Sequence, residues 1–245
     1  DIRNIAVIGH SGEGKTSVCE AILFNGKATD RLGKVTEGTT VTDSDEQEIA
    51  RKMSISLGVA YAMWEGVKLN LLDVPGFYDF EGEENEALRA AGGALIVTGA
   101  TGTLSVGAEK AIDKCLKNKI PMVVFINGVD KENADYAGTV AALKQKYAGK
   151  IAPIQIPLME GNKMVGYVNA LKETCYHFAD EAKKQPVPIP EELKGTLAEM
   201  QASLTETAAE NDEALLDKYF GEGALTKDEV ILGIRKGIYN VNTIP

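Results

Sequence analysis

The chain of 245 residues is 44% apolar and 25% charged, with a net charge of −10 and a pI near 4.9. That length accommodates one large domain, or a core domain with an appendage. The charge excludes a domain that wraps DNA or other nucleic acid unaided, because neutralising phosphates takes a concentrated Lys/Arg face. No run approaches the roughly 20 apolar residues needed to cross a membrane.

Ile5 to Ile8 is a short apolar run ending at Gly9, as a buried strand would be. A glycine-rich turn follows, and Thr16 to Phe24 predicts a helix with apolar residues at Val18, Ala21 and Ile22. Residues 26 to 53 are polar and weakly periodic and read as a long loop, a feature usually tied to function. Ile55 to Met63 alternates, and Val67 to Leu72 is an apolar run closed by Asp73-Val74-Pro75-Gly76. Glu81 to Gly92 reads as a helix, Ala94 to Thr98 as a strand and Val106 to Lys117 as a helix. Met122 to Ile126 is a strand ending at Asn127, Ala134 to Lys146 a helix, and Ile151 to Pro157 a further strand. This alternation predicts an α/β fold, a mostly parallel sheet with helices on both faces. Ligands bind such sheets at the carboxyl ends of the strands.

From about residue 158 the texture changes. Gly161 to Leu171 reads as a hairpin, and Gln185 to Pro190 as a Pro-rich connection. Glu191 to Ala208, Asp212 to Tyr219 and Thr226 to Lys236 read as acidic amphipathic helices. Thr226, with Glu229 three residues on, is a capping box. The expected organisation is a core over 1–157, an inserted, mainly helical subdomain over 158–240, and a return to the core over 241–245. Cys19, Cys115 and Cys175 are far apart and odd in number, which points to reduced thiols in a cytoplasmic protein.

Three motifs carry chemistry, each at a strand end. Gly9-His10-Ser11-Gly12-Glu13-Gly14-Lys15-Thr16 satisfies G-x-x-x-x-G-K-[ST] between a strand and a helix. The backbone N–H groups of His10 through Ser17 would cradle phosphates at the positive end of a helix. Lys15 would reach the β- and γ-phosphates, and the Thr16 hydroxyl would ligate Mg²⁺. Asp73 would hold the same metal, and the Gly76 amide would approach a γ-phosphate. In the third motif Asn127 and Asp130 face a base, where a carboxylate accepts two hydrogen bonds from guanine that adenine cannot offer.

With these residues the chain resembles the GTPase domain of translation elongation factor G and its relatives, over nearly its whole length. The resemblance rests on the GH-x-x-x-GKT loop and on Gly33 through Ile55 as a switch segment. It also rests on Asp73-Val74-Pro75-Gly76-Phe77 for D-x-PGH and Phe125 through Asp130 for F-x-NKMD. It implies a P-loop GTPase fold that binds GTP or GDP with Mg²⁺ and acts on the ribosome as part of a longer protein. The domain itself is expected to be a monomer. The family's last guanine-binding segment, a short Ser-Ala stretch, would follow Pro245.

The departures are as informative. Ser54 stands for the switch threonine that ligates Mg²⁺ and keeps its hydroxyl. Gly12 replaces an aspartate, and Gly128 replaces the lysine that packs over the guanine plane. Phe77 replaces the histidine that orients the attacking water, and a phenylalanine ring cannot hydrogen-bond water. Its ring is expected to pack beside Val74 or Tyr78 and close the site. Two functions therefore compete: a GTP hydrolase powering a ribosomal step, and a GTP-dependent switch with little turnover. An ATP-using P-loop protein is a weaker third reading. Residues 26–53 are expected to be mobile until a γ-phosphate is present, and to become ordered as Ser54 joins the Mg²⁺ shell.

Overall fold

A computed structural model describes residues 1–161, 163–179 and 185–245. Two compact units emerge. The first comprises Asp1–Gly99 with Leu104–Asn127, the second Ala100–Thr103 with Gly128–Pro245.

The first unit is built on five strands: β1 (Ile2–Gly9), β2 (Gly58–Trp64), β3 (Val67–Asp73), β4 (Gly93–Gly99) and β5 (Met122–Asn127). Their order is β2-β3-β1-β4-β5. β1 pairs in parallel with β3 and β4, and β4 with β5. β2 alone is antiparallel, joined to β3 by Glu65 (φ 48°) and Gly66 (φ 81°), the positive-φ pair of a tight hairpin. Register decides what meets at the top edge, where Val7 lies beside Asp73, Gly9 beside Val97 and Gly99 beside Asn127.

Helices α1 (Lys15–Asn25), α2 (Glu46–Arg51), α3 (Glu81–Ala90) and α4 (Val106–Asn118) complete this unit. Val18, Cys19 and Leu23 of α1 pack on Val7, Leu71, Val97, Ala60 and Ala62. Strand side chains alternate between faces, so the buried Ala6, Ile8 and Ile96 point the other way. There α3 packs against β1, and α4 against β1 and β4. Ala108, Ala111, Ile112 and Cys115 form the buried stripe of α4, recurring at helical spacing. The sheet is thus covered on both faces, as the alternation predicts.

One expectation fails here. Residues 26–53 are not an unbroken loop, since a 3₁₀ turn spans Val35–Glu37 and α2 lies within them. α2 buries little apolar surface, so periodicity is silent. It forms because the Asp45 side chain accepts from Gln47 N at 2.8 Å while Glu48 accepts from Asp45 N at 3.2 Å, a reciprocal cap that satisfies orphan donors.

The second unit holds α5 (Tyr136–Lys146), a three-stranded antiparallel sheet, and three further helices. The sheet runs β6 (Gln155–Glu160), β7 (Lys163–Asn169), β8 (Thr174–His177) in that order. The strand read from Ile151 is therefore displaced. Ile151 makes only an isolated bridge to Ile244, and Pro153 lacks the N–H a ladder needs, so pairing starts at Gln155. The hairpin expected over Gly161–Leu171 is not formed within those bounds, which hold the single strand β7, paired with β6 on one side and β8 on the other; Asn162 and residues 180–184 lie outside the described residues. Val187 in the Pro-rich connection donates its N–H to Cys175 O at 2.8 Å.

α6 (Glu191–Glu210), α7 (Glu213–Glu222) and α8 (Lys227–Tyr239) follow the expected order. Leu197, Leu204, Ala208 and Ile234 join Val165, Val168 and Cys175 in one core. The Thr226–Glu229 capping box opens α8, Lys218 reaches Glu229 at 2.8 Å, and Lys236 pairs with Asp212. Among the described residues no helix is long and apolar enough to cross a membrane.

Candidate nucleotide site

α1 starts at Lys15 with Gly14 before it at φ 92°, and no side chain caps its first turn. The amides there are directed at whatever anion approaches. Lys15 is buried, and its ammonium donates to His10 O at 2.9 Å. Burial pulls its pKa below the usual lysine value, while the carboxylates of Asp73 and Glu13 act in the opposite direction. A cation kept dry beside a helix N-terminus is suited to meet a phosphate.

Glu13 ties the loop to the sheet. Its Oε2 accepts from His10 N at 3.1 Å and its Oε1 from Gly99 N at 3.2 Å. Its carbonyl accepts from Asn127 Nδ2 at 2.8 Å. Asn127 thus acts as a strut from β5 to the phosphate loop. Gly12 and Ser17 are exposed, and the Ser11 amide faces the turn after β3. A Cβ on Gly76 would lie 2.6 Å from Ser11 N and would collide with the Lys15 ammonium. Only glycine lets that turn come so close.

Asp73, the last residue of β3, is 1% exposed. Its Oδ2 accepts from the Thr42 hydroxyl at 2.7 Å, whereas Oδ1 has no hydrogen-bond partner among the described residues. Burial raises its pKa to about 6, against the opposing pull of the Thr42 and Thr16 hydroxyls. The Thr16 and Ser54 hydroxyls are 3.2 Å apart. Asp43, also buried, is pushed up by burial although Ser54 hydrogen-bonds it. Thr16, Ser54 and Asp73, the three proposed metal ligands, therefore meet in one pocket with Thr42 and Asp43. Two buried carboxylates, one of them with an orphaned oxygen, and three hydroxyls are a hard-oxygen donor set that suits Mg²⁺. Among the described residues no cluster of three or more His, Cys, Asp or Glu forms a metal site, so nucleotide phosphates would have to complete the shell.

Sequence reasoning missed the residues that organise the long segment. Glu20 of α1 is 0% exposed, and its two oxygens accept from Gly33 N at 3.2 Å and Val41 N at 2.6 Å. Glu48 accepts from Ile55 N at 2.9 Å and Ser56 N at 3.1 Å. Glu83 of α3 accepts from Leu57 N at 2.7 Å. The available signal was Glu20 itself, a charge beside the apolar stripe of α1.

Phe77 is 42% exposed. Tyr78 beside it packs 6.2 Å from the His10 ring and under the Lys110 ammonium at 4.1 Å. His10 Nδ1 is buried with no partner among the described residues. Asp130 belongs to the second unit and is exposed.

The model of the elongation factor Tu GTP binding domain matches residues 1–233. The chain belongs to that family. It is a GTP-binding translation-factor GTPase domain of the elongation factor Tu and G type, as the three motifs imply. The crystal structure of ttk003000868 from Thermus thermophilus is similar, with a TM-score of 0.92 and 31% identity. The match covers 100% of this chain and 36% of that one, so the GTPase domain spans about a third of that relative's length.

The raised pKa of Asp73 has a measurable consequence for the metal-free GTPase domain. The native state holds a proton that the unfolded chain, with the ordinary value of 3.8, has already released. Stability is therefore fully present below about pH 4 and is lost as pH rises through about 6. The loss amounts to about 3 kcal/mol. Asp73→Asn should make the protein in EDTA more stable than wild type at pH 7.5, by a margin that grows between pH 4 and 6. Thermal unfolding across that range checks this, and a margin independent of pH would contradict it.

Proposed function

We propose that this domain binds GTP and GDP with Mg²⁺ and hydrolyses GTP on the ribosome, during translocation or a related step, as part of a cytoplasmic elongation factor G-like protein. The observation that carries the reading is the meeting of Lys15, Thr16, Ser54, Asp73 and Gly76 at the carboxyl end of one sheet. The amides of His10 to Ser17 and the Lys15 ammonium hold the phosphates. Thr16, Ser54 and Asp73 hold Mg²⁺, which when bound neutralises phosphate charge and polarises the γ-phosphoryl oxygens. The Gly76 amide meets the γ-phosphate, Asn127 braces the loop, and Asp130 selects guanine. The core over 1–157, the insertion over 158–240 and the return over 241–245 belong to the same reading. A second reading, a switch with little turnover, is favoured by the exposed, non-polar Phe77.

The test is made on the full-length protein. GTP should displace labelled GDP at least about tenfold better than ATP does, since an unpaired buried or base-facing carboxylate costs at least about 1.4 kcal/mol. Ribosomes should stimulate GTP turnover. Equal displacement by ATP would reverse the choice of base. Tight GTP binding without stimulated turnover would establish the switch.

A further inference from the structure

Gly128 follows β5 in a left-handed conformation, φ 72°. The resemblance to elongation factor G puts a lysine at this position, its stem packed over the guanine plane, and a glycine offers no stem. The space is nevertheless filled. A Cβ built on Gly128 would lie 3.1 Å from Cδ and from Cε of Lys131, and 3.5 Å from Cγ. The methylenes of Lys131 therefore cross the face of residue 128 where a side chain would begin. The backbone holds them there, since Lys131 N donates to Gly128 O at 3.1 Å, closing a turn that folds residue 131 back over residue 128. Asp130 and Lys131 are exposed, and among the described residues neither side chain has a hydrogen bond or ion pair.

We infer that Lys131 replaces the missing lysine: its methylene stem is the platform on which the guanine base stacks, next to the Asp130 carboxylate. This rests on residues 127–130 being the base-recognition segment. The glycine and the displaced lysine are one compensated pair. A β-carbon at 128 at such distances would force the Lys131 stem aside, so the two side chains cannot share that face unshifted. Lysine suits the role because its stem is apolar and flexible while its charge stays in water at the tip.

Three forms of the full-length protein separate stem from charge: wild type, Lys131→Ala and Lys131→Met. Equilibrium binding of GDP and of inorganic pyrophosphate is measured for each. Covering one side of the stem is worth about tenfold in affinity. Lys131→Ala should bind GDP about tenfold more weakly, Lys131→Met should stay within about threefold of wild type, and pyrophosphate should bind all three alike. GDP affinity unchanged in Lys131→Ala would overturn the inference while leaving guanine recognition standing. Lys131→Met as weak as Lys131→Ala would overturn it in favour of a charge effect. Wild type that binds GDP no better than pyrophosphate would remove the underlying reading, and the inference with it.

Discussion

Replacing Lys15 by alanine is expected to weaken GDP and GTP binding by one to two decades while the five-stranded sheet remains folded. A charge-assisted contact to phosphate is worth roughly 1.5–3 kcal/mol, which is that factor in affinity. The side chain is already desolvated and directed, with its ammonium 2.9 Å from His10 O, so little is spent on ordering it when a phosphate arrives. Its loss leaves Asp73 and Glu13 without the cation that offsets them. Folding is spared because the core around α1 is built by Val18, Cys19 and Leu23, and the ammonium takes no part in it. Calorimetry with circular dichroism on the same sample checks both halves, and unchanged affinity in a folded variant would refute the phosphate assignment.

The second large effect is expected at Phe77. A group at this place in P-loop GTPases orients water in line with the γ-phosphate, and proton-handling groups so positioned contribute roughly 10²–10⁴ in rate. Phe77 sits one residue after Gly76, which lies against Ser11 and Lys15, yet its ring offers no donor or acceptor and stands 42% exposed. His10 is no obvious substitute, because it lies in the phosphate loop. Phe77→His should raise single-turnover GTP hydrolysis by the full-length protein on ribosomes at least about tenfold. Wild-type hydrolysis that is already fast, and unchanged or slowed by the substitution, would show that the positioning is done by another group or by the ribosome.

Much of this architecture is legible because its signals are local and redundant. The apolar run before Gly9, the glycine loop and the helix after it support one another, and so do the strand endings at Asp73 and Asn127. What escaped depends on contacts distant in the chain. Glu20 meets Gly33 and Val41 only in the folded molecule, and Thr42 finds Asp73 31 residues later. Nothing in a polar loop announces which of its hydroxyls will be buried. α2 escaped for another reason: six residues capped by Asp45 and Glu48 leave no room for a periodic stripe. The strand expected from Ile151 starts at Gln155 because Pro153 cannot donate to a ladder, and an apolar run does not show which of its residues find a pairing partner. Lys131 could not be linked to Gly128 without the turn that folds one over the other.

Glu20 also bears on how fast a bound ligand leaves. Both carboxylate oxygens of Glu20 are engaged, by Gly33 N and Val41 N, with no exposure to water, so α1 ties down two points of the segment that leads to Thr42 and Asp43. A ligand that selects this conformation needs no large population shift. Swinging the segment away removes both donors from the Glu20 carboxylate at once, and water has to replace them. Exchange of a ligand at that end of the sheet is therefore expected to depend on Glu20, a residue of α1 set apart from the groups proposed to touch the nucleotide.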